Sequence, residues 1–281
     1  MGVGRGWRRS SRWVRSPPAD DETSDLGAIQ PSPRGMSPDG RAVVSEHGFE
    51  YHHTGNSSNQ AVHPDGNGES LQPREWFLMT SGDSSLRPRL ATNADAGTIV
   101  ATLAASFDED PLWTWVFPDR EKRAEQFERW FGFFVESALP NGFVWIADEG
   151  AAVSVWTPPE KSELSEEAEA AVEPFLSEAL GSHSGEVLEV MEDLEAACPK
   201  ARPFYYLSFL GTHPEERGRG VGMGLLAANL ARIDATGMPA YLESSNPANN
   251  GRYERLGFRP RTEFSTPDGE HDVTTMWREA R

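Results

Sequence analysis

From about residue 86 onward the apolar positions follow helical or strand periods, and before that they follow neither. Leu86 to Ala91 reads as a short first strand, and Thr92 with Asp95 three residues on has the chemistry of a helix N-cap. Ile99, Leu103 and Phe107 then recur at helical spacing, and a turn carrying Trp113, Trp115, Phe117 and Pro118 follows. The pattern predicts a helix over about 119–138 with Phe127, Phe131, Phe134 and Ala138 on one face, an aromatic stripe of the kind that builds a core. Residues 143–147 and 151–156, joined by Asp148-Glu149-Gly150, predict a β-hairpin. Helical segments near 162–180 and 185–197 come next, then a strand over 205–210, a helix over 221–236 and a strand over 240–244. A short helix over 249–256 and two strands, 258–265 and 271–278, around a Pro-Asp-Gly-Glu turn close the chain.

Residues 1 to about 84 carry Ser-Pro, Pro-Asp-Gly and Asn/Gly/Ser clusters, a composition that buries too little apolar surface to offset backbone entropy. The expectation is a disordered tail, 1–84, ahead of one domain, 85–281. Met79 sits just before the first patterned segment and raises the alternative that the tail is an extension of the gene model. Residues 1–78 hold 8 Lys/Arg and 10 Asp/Glu, so of the net −18 the remaining chain keeps −16. So acidic a surface repels a phosphate backbone, which argues against nucleic-acid binding. No apolar run reaches the roughly 18 residues of a membrane span. The early arginines at 5, 8, 9, 12 and 15 lead into Ser-Pro-Pro-Ala-Asp-Asp rather than an apolar export segment, so a cytoplasmic protein is expected. Cys198 has no second cysteine to pair with and reads as a small apolar residue. His52, His53 and His63 lie in the tail without partner ligands, and no metal site is expected.

The densest chemistry lies between Tyr205 and Phe258. Arg217, Gly220 and Gly222 form R-x-x-G-x-G at a helix start, where free N–H groups and the helix dipole meet a pyrophosphate. Gly218, Gly220, Gly222 and Gly224 permit close backbone approach, and Arg217 and Arg219 offer charge. A P-loop would continue as G-K-[ST], whereas Leu225-Leu226 follows Gly224. Gly222-x-Gly224-x-x-Ala227 with Glu243 nineteen residues beyond Gly224 imitates a dinucleotide fingerprint, but His213-Pro-Glu-Glu-Arg-Gly-Arg219 separates strand from helix where that motif needs a tight turn.

The run Y-L-S-F-L-G-T-H-P-E-E-R-G-R-G-V-G-M-G-L-L, followed by Y-L-E-S-S-N-P-A-N-N-G-R-Y-E-R-L-G-F, resembles the GNAT superfamily of N-acetyltransferases. The S-F-D-E-D-P-L-W-T-W-V-F-P-D stretch and the Y-L-E-S-S strand look like its puromycin-acetyltransferase-like branch. The resemblance implies an α/β fold with a central mixed, largely antiparallel sheet, splayed at an acetyl-CoA cleft and flanked by helices. It implies that backbone groups of Leu210 and Thr212 hold the thioester and pantetheine arm, that Arg217, Gly218, Arg219, Gly220, Val221 and Gly222 cradle the pyrophosphate, and that Asn249 contacts the cofactor. Thr212 stands where the family more often has Val.

Within that resemblance Tyr253 is the expected general acid for the departing thiolate; otherwise it is a core tyrosine packed beside Leu256 and Phe258. An acceptor amine must lose a proton before attack, and Glu243 is the expected base, or else a structural carboxylate of the 246–250 loop. Asp108, Glu109 and Asp110 are second choices. Twelve acids against Lys161 over 160–195 form either a solvated face or an electronegative rim that gathers cationic amines. The expected activity is direct transfer of acetyl from acetyl-CoA to a primary amine of a small molecule. An acyl-CoA-binding regulatory module and a protein lysine or N-terminal acetyltransferase are the alternatives. The aromatic residues at 113, 115 and 117 favour an enclosed acceptor site. Neither the acceptor's identity nor the oligomeric state has a signature in the sequence.

Overall fold

The computed structural model describes residues 86–281, so the tail and its histidines lie outside the described residues. Strands β1 (Pro88–Leu90), β2 (Val144–Ala147), β3 (Ala152–Thr157), β4 (Tyr205–Thr212), β5 (Ala240–Ser244), β6 (Arg259–Ser265) and β7 (Asp272–Arg278) form one sheet in the order β1-β2-β3-β4-β5-β7-β6. Every neighbouring pair is antiparallel except β4 with β5, as expected for a mixed, largely antiparallel sheet.

Helices α1 (Ala96–Phe107), α2 (Pro111–Val116), α3 (Arg123–Ala138), α4 (Glu166–Leu180) and α5 (Ser184–Ala197) join one core with alternate strand residues such as Val144, Ile146, Val153 and Val155. Their sequence neighbours Trp145, Ala147, Ala152 and Trp156 join a second core with α6 (Val221–Asp234). The two-residue alternation of a strand thus divides the hairpin between two layers. The stripe at Phe127, Phe131, Phe134 and Ala138 is core, as its periodicity predicts. Asp95 accepts from the backbone N–H of Thr92 at 2.8 Å, forming a capping box on the single 3-10 turn 93–95 that leads into α1.

Three departures from the sequence pattern matter. Residues 111–116, expected as a turn, form α2 because Asp110 caps it and Pro111 takes the first helical position, where a missing N–H is harmless. The next helix begins at Arg123 rather than near 119. In β4 the register against β3 slips between Val155 and Trp156, leaving Ser208 as an extra residue. This bulge turns Leu207 toward the α6 core and Phe209 toward the opposite one, although two residues apart they would otherwise share a face. Strand β7 is tied to α6 by Arg278, which is buried and forks onto Asp234 at 2.6 and 2.7 Å.

Candidate active site

Strands β4 and β5 pair only through Tyr205 to Leu207 and Ala240 to Leu242. Beyond that point Phe209 to Thr212 pair with β3, and Glu243 and Ser244 pair with β7. The two strands part immediately after the bulge. His213 donates its N–H to the carbonyl of Ala151 at 3.0 Å, so ladder alternation turns Gly211 and Phe209 toward β3 as well. Leu210 and Thr212 are left with backbone N–H and C=O groups directed into the gap, which gives them the freedom to bind an extended ligand.

A cavity of about 720 Å³ lies along this gap. Leu210, Thr212, Arg217, Gly218, Gly220, Val221, Gly222 and Asn249 all line it. Gly220, at φ 78°, is the N-terminal boundary of α6, in a left-handed conformation that favours glycine, and no side chain caps this helix. The N–H groups of its first turn therefore have no intrahelical partners and face anionic ligands by default. A methyl group at Gly222 would collide with the Thr212 hydroxyl, so helix and strand approach closely only because that side chain is missing.

Arg219, expected at the pyrophosphate, does not line the cavity: its guanidinium pairs with Glu216. Arg217 does line it but donates to the carbonyl of Ser106 at 2.8 Å and lies 3.5 Å from Glu109. Two cations absent from the sequence reading line the same cavity, Arg252 and Arg255, carried by α7 (Asn250–Arg255). Their cue was available in the sequence: an Arg-x-x-Arg spacing puts both side chains on one helix face.

A second cavity, of about 220 Å³, adjoins the first. Phe107, Asp110, Leu210, Asn249 and Tyr253 line both. Tyr253 projects from α7 and packs its ring edge-on to Phe258, with centroids 6.2 Å apart. The side chain is half-buried, and its phenol oxygen has no hydrogen-bond partner among the described residues. Burial first, and then the nearby Asp110 carboxylate, push this phenol up to about 12; Arg252 acts weakly in the opposite direction. It stays protonated across the physiological range.

Asp110 is buried at the same junction. Its carboxylate accepts from the backbone N–H groups of Leu112 and Trp113 at 3.1 and 3.3 Å and from Ser245 Oγ at 3.0 Å. Burial raises its proton affinity more than these donors lower it. The segment that carries it is clamped by buried Arg123, whose guanidinium donates to the carbonyls of Asp108, Phe117 and Pro118 at 3.0, 2.7 and 3.3 Å. Glu243 lines the second cavity alone, and both its oxygens are engaged: Tyr206 donates at 2.7 Å and Tyr241 at 3.1 Å.

Of the other candidates, Glu109 lines the first cavity, whereas Asp108 lies 3.7 Å from Arg123 and lines neither. Trp113 borders the second cavity; Phe117 is wholly buried core, and Trp115 instead stacks edge-on to His183. Of the twelve acids between 160 and 195, Glu163, Glu169 and Glu195 reach the second cavity. Among the described residues no Lys, Arg or His lines it. At the β6–β7 turn, Asp268, Glu270 and His271 bring possible ligand atoms within 4.8 Å of one another. Asp268 there also accepts from Thr266 and from the N–H of Glu270, the bonding of a tight turn. Among the described residues no helix is long and apolar enough to cross a membrane.

Comparison with known proteins accords with this architecture. An N-acetyltransferase of Schizosaccharomyces pombe, itself uncharacterised, is 27% identical over 170 residues, covering 56% of this chain and 68% of the relative. A Corynebacterium glutamicum crystal structure described as histone acetyltransferase HPA2 and related acetyltransferase is 25% identical, with a TM-score of 0.53, covering 70% of this chain and 98% of its own. Polyamine N-acetyltransferase of Drosophila melanogaster shares the fold at 18% identity and a TM-score of 0.50, covering 69% of this chain and 100% of its own. Residues 105–258, more than half of the chain and all of the walls between the two cavities, match the acetyltransferase (GNAT) family, and to that family this chain belongs.

Proposed function

We propose that this chain transfers the acetyl group of acetyl-CoA to the primary amine of a small molecule, with residues 85–281 carrying the whole activity. One observation carries the reading: an unpartnered, protonated phenol and a buried carboxylate meet where a cavity suited to an anionic, extended cofactor opens into a second, acidic cavity.

The residues fit acetyl-CoA. The uncapped start of α6 offers amides to a pyrophosphate, Gly222 leaves room for the backbone approach, and Leu210 and Thr212 offer strand-like hydrogen bonds to a pantetheine arm. Bound there, acetyl-CoA supplies an activated acyl group and a thiolate leaving group. Tyr253 donates a hydrogen bond to the sulfur as negative charge develops on it and is the source of its proton.

The base assignment moves from Glu243 to Asp110. Asp110 touches both cavities and burial increases its basicity, so it is set to take the ammonium proton directly or through one water. Glu243 lines the acceptor cavity but not the cofactor cavity, so it is better placed to attract and orient the ammonium than to receive its proton at the junction. The carboxylates of Glu163, Glu169, Glu195 and Glu243 along the acceptor cavity favour a positively charged substrate. The name of the fission-yeast relative supports nitrogen as the acceptor atom.

The test is thiol release from acetyl-CoA against a panel of small primary amines, with mass analysis of the products and a lysine-containing peptide as comparator. An N-acetylated small amine is the expected product. Tight acetyl-CoA binding without turnover on any amine would favour a regulatory module, and turnover confined to the peptide would favour protein acetylation.

A further inference from the structure

We propose that Arg252 and Arg255 form a subsite for the ribose 3′-phosphate of CoA, through which the protein distinguishes CoA from carriers lacking that phosphate. The inference rests on the acetyl-CoA reading and adds a determinant of cofactor choice. The arginines in and beside the cofactor cavity fall into two sets. On the glycine-rich loop, Arg217 faces Glu109 and Arg219 faces Glu216, so each guanidinium already has a carboxylate beside it. On α7, Arg252 donates only to the neutral amide oxygen of Asn249, at 2.9 Å, and Arg255 has no hydrogen bond or ion pair among the described residues. Both are exposed and both line the cavity.

The anionic groups of the cofactor divide in the same way. A pyrophosphate is met by the free amides of the α6 start, which bind without side-chain charge. A terminal phosphomonoester is a doubly charged, fork-accepting group for which paired guanidinium groups are the matching chemistry. Two arginines with no carboxylate partner among the described residues, one turn apart on α7 and lining the same cavity as the start of α6, present that second site. In a chain of net charge −18 such a pair also offsets the general repulsion of a polyanionic cofactor.

The experiment is titration calorimetry of CoA and of dephospho-CoA with the full chain, its Arg255→Ala and Arg252→Ala variants, and Arg255→Lys as the charge-retaining control. The wild type is expected to prefer CoA by roughly tenfold or more, as charge-assisted hydrogen bonds allow. The preference should shrink in both alanine variants, which leave dephospho-CoA affinity unchanged, and should weaken with added salt. Arg255→Lys should retain part of it. Equal affinity of the wild type for the two ligands would overturn the proposal. So would a parallel loss of affinity for both in the variants, which would assign the arginines to the pyrophosphate. Failure of the wild type to bind either ligand would remove the acetyl-CoA reading itself, and the subsite with it.

Discussion

Replacing Tyr253 with Phe deletes one oxygen from the junction of the two cavities and leaves the ring that packs on Phe258. That oxygen has no hydrogen-bond partner among the described residues, so its removal strands no donor or acceptor, and thermal stability should be unchanged or slightly higher. The kinetic effect follows from proton affinity. An ordinary thiol titrates at about 8.5, and this phenol is pushed up to about 12. Complete proton transfer from phenol to thiolate is then uphill by about 3.5 pK units, roughly 5 kcal/mol at 1.36 kcal/mol per unit. Tyr253 therefore acts chiefly as a hydrogen-bond donor to developing charge, with the proton following late. General acids contribute about 10²–10⁴-fold, and one this weak belongs at the lower end, so kcat should fall about 10²-fold, ~2.7 kcal/mol. The KM for acetyl-CoA should move little. Steady-state thiol release from pH 6 to 10.5 checks the size and the pH dependence together. The phenol is active while protonated, so its elevated pKa means the wild-type rate shows no tyrosine-dependent fall up to pH 10.5, where an ordinary phenol would already have lost activity. A variant within threefold of wild-type kcat, or a wild-type alkaline limb near 10 that the variant abolishes, would refute the reasoning.

Asp110→Asn keeps an oxygen for the two α2 N–H groups and should lower kcat at least 10²-fold while the protein still folds. Because burial raises the folded pKa of Asp110, its contribution to stability is greatest below the unfolded pKa and is lost as pH rises through the folded value; the variant should thus match or exceed wild-type stability at pH 7 in urea denaturation, and a marked loss there would make Asp110 purely structural. Glu243→Gln should raise the amine KM about tenfold with a smaller change in kcat, since the charge that draws the ammonium is removed while the side-chain shape is kept; an unchanged KM would detach Glu243 from the acceptor. Gly222→Ala forces a methyl against Thr212 Oγ1 and should cost about 1–3 kcal/mol of stability and weaken acetyl-CoA binding. Adding Thr212→Ala should recover most of both, and a double variant no better than the single would deny the clash.

The elements of this protein were largely legible in its sequence, because their determinants act over a few residues. Ile99, Leu103 and Phe107 mark their helix by spacing, strand β5 lies where its apolar run predicts, and the glycines from 218 to 224 announce an amide cradle. The Asp110-Pro111 cap of α2 was equally local and went unread beneath the aromatic residues that follow it. Tertiary structure decided the chemistry of the junction. An extra residue at Ser208 reverses the facing of β4, and the gap beside it depends on where β5 stops pairing, a property of two strands distant in sequence. Glu243 and Asp110 are both carboxylates in the sequence; only folding gives one a pair of phenols and buries the other against Tyr253's cavity. Arg219 and Arg255 differ likewise, one beside an acid and outside the cavity, the other exposed along its wall. Residue type sets what a side chain can do, whereas its proton affinity and available partners depend on burial and neighbours that only the folded chain brings together.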